Sequence, residues 1–361
     1  GRIIQALGAG PICPLMTVVI MNMFPVQSRG KAMGFIGLAM NFAPAIGPTL
    51  SGWIVQTYNW RAIFYVILPL AAINLVVAFF SLKNFGDQKY PVFNFLGVVL
   101  STVGLGSLLL GFSNAGDKPW LTIGVLGFIA LGLVVTGLFI YQQTHTKTPL
   151  LNFSVFKHSI FTIASITNFV VIMGLYGGMI LLPLFLQNVQ GVSPMTSGMV
   201  LLPGALVMAF MSPITGALYD RMGAKYLSFT GLIILTVGTF MFSLVELNTS
   251  LTYLATVQGI RSFGLALAMM PLQTDALNDL PLELMSHGSA MYNTIRQIAG
   301  SIGTALLVTV MSLATTLYAT NNVGVSIEVA TLHGIKIAYI GVTIISLIAT
   351  GLCLKLKTKE K

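Results

Sequence analysis

The chain has 361 residues, of which 55% are hydrophobic and only 7% charged, and its mean hydropathy is +0.89. A soluble domain carries about 25% charged residues, so these proportions exclude an ordinary soluble globule and leave an integral membrane protein. The net charge of +9 is spread over loops and forms no stripe interleaved with aromatics, which argues against nucleic acid as a partner and for orientation in a lipid bilayer.

Eleven apolar runs follow one another, each near the roughly 20 residues that a helix needs to cross a hydrocarbon core. They cover Gly1 to Met23, Ala32 to Val55, Ala62 to Leu82, Phe93 to Phe112, Trp120 to Tyr141, Ile160 to Leu186, Ser197 to Tyr219, Leu227 to Val245, Thr252 to Thr274, Ser289 to Leu317 and Leu332 to Leu354. The runs are continuously apolar and do not alternate over strand lengths, so the expected fold is an all-α polytopic membrane protein, not a barrel. The linkers differ in charge. Arg29 and Lys31, Lys83 and Lys89, Lys147 and Lys157, Arg221 and Lys225, and the tail lysines Lys355, Lys357, Lys359 and Lys361 fall on one side; Arg61, Lys118 and Lys336 fall on the other. The positive-inside rule makes the first set cytoplasmic and places the C-terminus inside. The first run then passes from outside to inside. The sequence opens within it, with no initiator Met, signal-peptide n-region or polar leader, and so reads as N-terminally shortened.

That first run carries Arg2, Gln5, Gly8, Gly10 and Pro14. A guanidinium in a span is costly and marks a cavity or a partner, although at the end of a run snorkelling to the interface serves as well. The second run contains NFAPAIGPTLSG, Asn41 to Gly52. Proline costs about 3 kcal/mol in a helix interior, while small residues let neighbouring helices approach closely. Pro44 and Pro48, with Gly37, Gly47 and Gly52, therefore read as a packing and hinge element. Replacing Gly47 with Leu is expected to impair function without preventing insertion.

Further along, Met173, Tyr176, Met179, Gln187 and Met208 are candidate cavity residues by position, against the simpler reading of helix packing. The loop GALYDRMGAK follows, with Gly216, Leu218, Asp220, Arg221, Gly223 and Lys225. Gly223 gives the freedom a short reversal needs, Asp220 suits the positive N-terminal end of the following helix, and the basic pair holds the loop inside. Arg261 lies within an apolar run and reads as a structural group bonded to carbonyls between helices, while Arg296 sits where snorkelling is easy. The eighteen Met and twenty-two Phe offer an adaptable apolar surface that suits varied amphipathic compounds, though membrane packing accounts for most of them.

FPVQSRGKAM, Phe24 to Met33, recurs as LPLELMSHGSAM, Leu280 to Met291, and the preceding segments Gly1 to Leu15 and Gly259 to Leu272 match as well. Parallel repeats of this kind are a transporter plan, with substrate held between two halves near mid-membrane. Cys13 and Cys353 are far apart, the four histidines show no ligand spacing, and no metal site is expected. Neither H-E-x-x-H nor G-x-S-x-G nor a phosphate-binding loop occurs, so the chain is not read as an enzyme. No carboxylate falls mid-span: Asp275, Asp279 and Glu283 cluster at one helix end, and the others lie in loops or the tail.

Gly216 to Lys225 resembles the G-x-L-x-D-R-x-G-x-K/R loop motif of the major facilitator superfamily. Gly37, Gly47, Pro48 and Gly52 resemble its antiporter signature, with Ala43 and Ser51 in place of two glycines, and Arg2 to Gly10 resembles R-x-x-Q-G-x-G, with Ala6 in place of one. Together these motifs resemble the fourteen-span drug:proton antiporters of the multidrug resistance protein B type, over essentially the whole chain. The resemblance implies about eleven visible helices of fourteen, with residues 1–90 the remainder of an N-terminal bundle, 91–158 two inserted helices and a loop, and 159–361 a C-terminal six-helix bundle with a basic tail. It implies export of drugs or other amphipathic compounds across the bacterial cytoplasmic membrane by proton antiport and alternating access, with no cofactor beyond the proton gradient. Arg2 would assist proton transfer, and the coupling carboxylate would lie in a first span absent from this sequence. A carrier for one metabolite or peptide, or a fragment that does not transport, remains the alternative, and accessory export proteins stay open.

Overall fold

The computed structural model describes residues 2–81, 94–146, 148–322 and 324–356. These residues form helices and connections, with no strand among them. Helices α1 (Arg2–Ala9) and α2 (Ile12–Met23) make one path, interrupted where Pro11 lacks an N–H and Gly10 precedes it. The path continues through α3 (Arg29–Thr57), α4 (Trp60–Ser81), α5 (Phe95–Asp117) and α6 (Phe128–His145). It then enters α7 (Ser159–Leu184), α8 (Pro194–Met222), α9 (Ala224–Ser243), α10 (Leu251–Asn278), α11 (Leu282–Asn321) and α12 (Ile327–Cys353). A π-helical turn, Ile123–Gly127, leads into α6, and a second, Phe185–Val189, closes α7 just beyond Pro183.

Helix occupies most of the described part of each of the eleven expected spans, and α3, α8, α10 and α11 run past the apolar stretch at both ends: α11 extends to 40 residues against a shorter apolar run. Backbone pairing continues into polar sequence because a helix end costs four unpaired groups wherever it falls. By length and composition, nine helical segments among the described residues can cross a membrane. The protein is a multi-pass membrane protein. Helices α3 and α10, of 29 and 28 residues, are as long but more polar. In α10 the polar positions Gln258, Arg261, Ser262 and Thr274 are turned into the protein.

Helices α7 to α12 pack around two apolar clusters. One includes Phe161, Ile172, Leu232 and Leu265; the other includes Phe185, Phe242, Leu254 and Tyr339, with Phe242 and Tyr339 stacked 5.0 Å apart. Helices α5 and α6 pair through Gly104, Gly111 and Gly132, where an added Cβ would press on the opposite backbone. This pair leans on α11, and Trp120 donates from Nε1 to Thr309 Oγ1 at 2.7 Å. Pro25 and Pro281, matched in the sequence repeat, have φ −64° with ψ 153° and φ −64° with ψ 154°, an extended geometry that Ser193 and Ser326 also adopt at the starts of α8 and α12. The boundary expected near residue 90, together with Lys83, Lys89, Lys147, Lys357, Lys359 and Lys361, lies outside the described residues.

Candidate functional site

The closest helix contact between distant parts of the chain is the antiparallel seam of α3 and α8. Gly30, Gly34 and Gly37 recur at helical spacing on one face of α3, and Ser212, Gly216 and Asp220 do so on α8. A Cβ on Gly34 would stand 2.6 Å from the Ser212 carbonyl oxygen, and one on Gly37 would stand 3.0 Å from the Ser212 side chain. A Cβ on Gly216 would collide with the Gly30 carbonyl. Only glycine lets these backbones meet, which is the usual device where lipid supplies no hydrophobic drive between helices. One turn on, Asn41 donates to Gly37 O at 2.8 Å and to Ser212 Oγ at 3.3 Å.

The seam ends in a charged clasp. Asp220 Oδ1 accepts from Gly30 N, and Oδ2 from Lys31 N, both at 2.9 Å. These are orphan N–H groups of the first turn of α3, so the carboxylate meets both free donors and the positive end of the helix dipole. The sequence reading gave Asp220 to the helix that follows it; the structure corrects this to α3, nearly two hundred residues earlier. The reason is geometric. Asp220 lies in the last turn of α8 and faces α3, whereas the chain reverses beyond it, at Gly223 with φ +79°. That φ lies outside the range an L side chain readily adopts. Around the clasp, Arg29 donates to Phe24 O at 3.1 Å and to Asn278 Oδ1 at 2.9 Å, Asn278 donates to Tyr219 Oη at 3.1 Å, and Tyr219 donates to Asp275 Oδ1 at 3.1 Å. Asp279 in turn accepts from Ile160 N and Phe161 N at the start of α7, at 3.1 and 3.2 Å. The acidic cluster therefore joins α3, α7, α8 and α10 at one end of the molecule.

The remaining loop-motif residues surround this clasp: Leu218 packs with Tyr219, Leu227 and Leu267, Arg221 is exposed, and Lys225 accepts a weak contact from Cys353 Sγ through its carbonyl. In the hinge motif the close packing falls earlier than the sequence reading placed it. α3 stays helical through Pro44 and Pro48, whose side chains lie outside the described part, and an added Cβ on Gly47 or Gly52 would meet nothing within 4 Å among the described residues. Arg2 opens α1, its side chain likewise outside the described part; Gln5 and Gly8 are exposed, and Gly10 ends the turn through its N–H to Ala6 O. The seam does not include these residues.

Arg261 is fully buried, donating from Nη2 to Gly174 O at 2.8 Å and from Nε to Thr239 Oγ1 at 3.3 Å. It ties α10 to α7 and α9, in a space kept open by Gly178 and Gly238. Arg296 is half-buried on α11. Of the five candidate cavity residues, Met173, Tyr176 and Met208 pack against the larger apolar cluster, while Met179 and Gln187 are exposed; Tyr176 also borders a crevice, with Gln297 and Gly300. Gly30, Gly34 and Asn278 were not singled out from the sequence, and Arg29 was named only for its charge. The spacing of Gly30, Gly34 and Gly37 was the one available signal.

The sequence pattern described as Major Facilitator Superfamily matches residues 1–304. The chain belongs to the major facilitator superfamily. This superfamily consists of transporters, so the chain is not placed with enzymes. It is 46% identical over 318 residues to the uncharacterised MFS-type transporter YhcA of Bacillus subtilis, covering 88% of this chain and 60% of YhcA. It is 38% identical over 328 residues to the lincomycin resistance protein LmrB of Listeria monocytogenes, covering 91% and 70%. A multidrug resistance protein B homologue of Mycobacterium tuberculosis is 30% identical over 314 residues, covering 85% and 57%. The chain thus spans between 57% and 70% of the length of these relatives.

Proposed function

We propose that this chain forms part of a secondary transporter that exports drugs or other amphipathic compounds by alternating access, with protons entering as the compounds leave. The observation that carries this reading is the asymmetry of α3. One end is sealed to α8 by glycines and by Asp220, while a Cβ added at Gly47 or Gly52, towards the other end, would meet nothing within 4 Å among the described residues. A seam closed at one end and open at the other is one of the two states alternating access requires. Its strength also fits. A carboxylate at a helix N-terminus contributes up to about 2 kcal/mol, enough to favour one state and little enough to release it.

On this reading the helices up to α4 belong to one bundle, α7 to α12 to the other, and α5 and α6 to an inserted pair. Arg29, Lys31, Arg221 and Lys225 gather at the Asp220 end, which supports a cytoplasmic placement there and, with Cys353 beside Lys225, for the C-terminus. Relatives named for lincomycin and multidrug resistance support drugs as the substrate class. The test is efflux of a fluorescent cationic dye from bacteria expressing the full-length gene product, with and without a protonophore, beside Arg2→Ala. Efflux abolished by the protonophore and lost in Arg2→Ala is the expected result. Efflux indifferent to the protonophore would remove proton coupling, and none despite membrane expression would favour a carrier for one metabolite or peptide.

A further inference from the structure

We propose that the crevice between α5, α7 and α11 binds the uncharged, hydrogen-bonding portion of an amphipathic solute, so that the inserted helix pair forms one wall of a solute site. The inference rests on the export reading for its substrate class but not for its geometry. The crevice, of about 170 Å³, is lined by Ser113 of α5, Tyr176 of α7, and Gln297, Gly300, Ser301 and Thr304 of α11. Gln297, Ser301 and Thr304 fall at i, i+4 and i+7 and so share one helix face.

This face carries unused hydrogen-bonding capacity, which on α11 Tyr292 and Ser312 also show away from it. Elsewhere on α11, Asn293, Thr294, Thr309, Thr315, Thr316 and Thr320 each return a side-chain hydrogen bond to the carbonyl four residues back. Among the described residues, Gln297, Ser301, Thr304, Ser113 and the Tyr176 hydroxyl make no hydrogen bond within the chain. Polar groups at membrane depth are retained where they line a cavity or meet a partner. Gly300 shapes the floor, since a Cβ there would come within 2.9 Å of the Tyr176 ring.

Among the described residues no charged side chain lines the crevice, so it suits hydroxyl and amide groups more than a cation or an anion. Further along the same α5–α11 contact lies a larger, mostly apolar crevice of about 830 Å³, bordered by Trp120, Leu121, Leu306, Val308 and Leu313, with Lys118 at its edge. It offers apolar surface to the rest of an amphipathic molecule. The Trp120 to Thr309 hydrogen bond holds the turn after α5 against α11 and so keeps the two walls together.

The test is equilibrium dialysis of radiolabelled chloramphenicol, an uncharged molecule bearing hydroxyl and amide groups, against the full-length gene product in lipid nanodiscs, with ethidium as the cationic control. The double variant Gln297→Leu/Thr304→Val should weaken chloramphenicol binding about tenfold, as expected for two lost neutral hydrogen bonds, and change ethidium binding less than about twofold. Ser113→Ala, a small change on the inserted helix, should weaken chloramphenicol about threefold and serves if the double variant fails to fold. Unchanged chloramphenicol binding in Ser113→Ala and in the folded double variant, equal loss of both ligands, or no chloramphenicol binding by the unsubstituted protein would overturn the proposal. Variant-sensitive binding in a protein that shows no efflux from cells would leave the site standing and overturn the export reading instead.

Discussion

Asp220 supplies both oxygens to the first turn of α3, and its value lies in being breakable. Charge-assisted bonds to a helix N-terminus at a partly buried site contribute on the order of 2 kcal/mol, about a thirtyfold change in an equilibrium. Asp220→Ala should therefore open the seam about thirtyfold more often. The alkylation rate of a cysteine at Ser212, which is 3% exposed within the seam, reads that opening in a background lacking Cys13 and Cys353. An unchanged rate would remove Asp220 from the clasp. Glycine substitutions provide a second contrast. Gly34→Leu must displace the α8 backbone at Ser212 and Pro213, whereas Gly47→Leu enters open space among the described residues. Transport by the first should be lost while membrane insertion persists, and the second should retain the greater activity. The opposite order in a transport assay would return the hinge to Gly47.

Helices are where the sequence was most readable, because a span must satisfy its backbone internally and the runs of about 20 apolar residues mark it without further context. Contacts between helices were less readable. Asp220 was assigned to the helix beside it because local sequence cannot say which helix an end faces, and Gly30 looked like part of a loop because Arg29 and Lys31 flank it. Arg261 was recognisable as an expensive residue needing carbonyl partners, but the identities of Gly174 and Thr239 depend on how α7 and α9 cross α10. The polar face of Gln297, Ser301 and Thr304 was present at helical spacing and went unread, since Ser and Thr in a membrane helix usually bond their own backbone. Arg261 also carries a prediction at this scale. Lysine lacks the planar fork that reaches two helices at once, so Arg261→Lys should lower stability by about 2 kcal/mol. Loss of monodisperse protein on heating would show it as a reduced transition temperature, and an unaltered temperature would mean that the two bonds are dispensable.

At the scale of the molecule, the seam, the clasp and the acidic cluster all gather at one end, tying α3 to α8 and α10, while further along α3 a Cβ added at Gly47 or Gly52 would meet nothing within 4 Å among the described residues. On the proposed reading, export proceeds by opening this end and closing the other, and the small free energy of the clasp keeps both states within reach. The most direct test is a distance measurement between spin labels at Lys31 and Met222, both exposed beside the clasp, in the full-length gene product in nanodiscs. Two populations are predicted, a short one dominant at rest and a longer one that grows when substrate is added and when Asp220 is replaced by Ala. A single short population that persists while the protein actively transports would contradict the account.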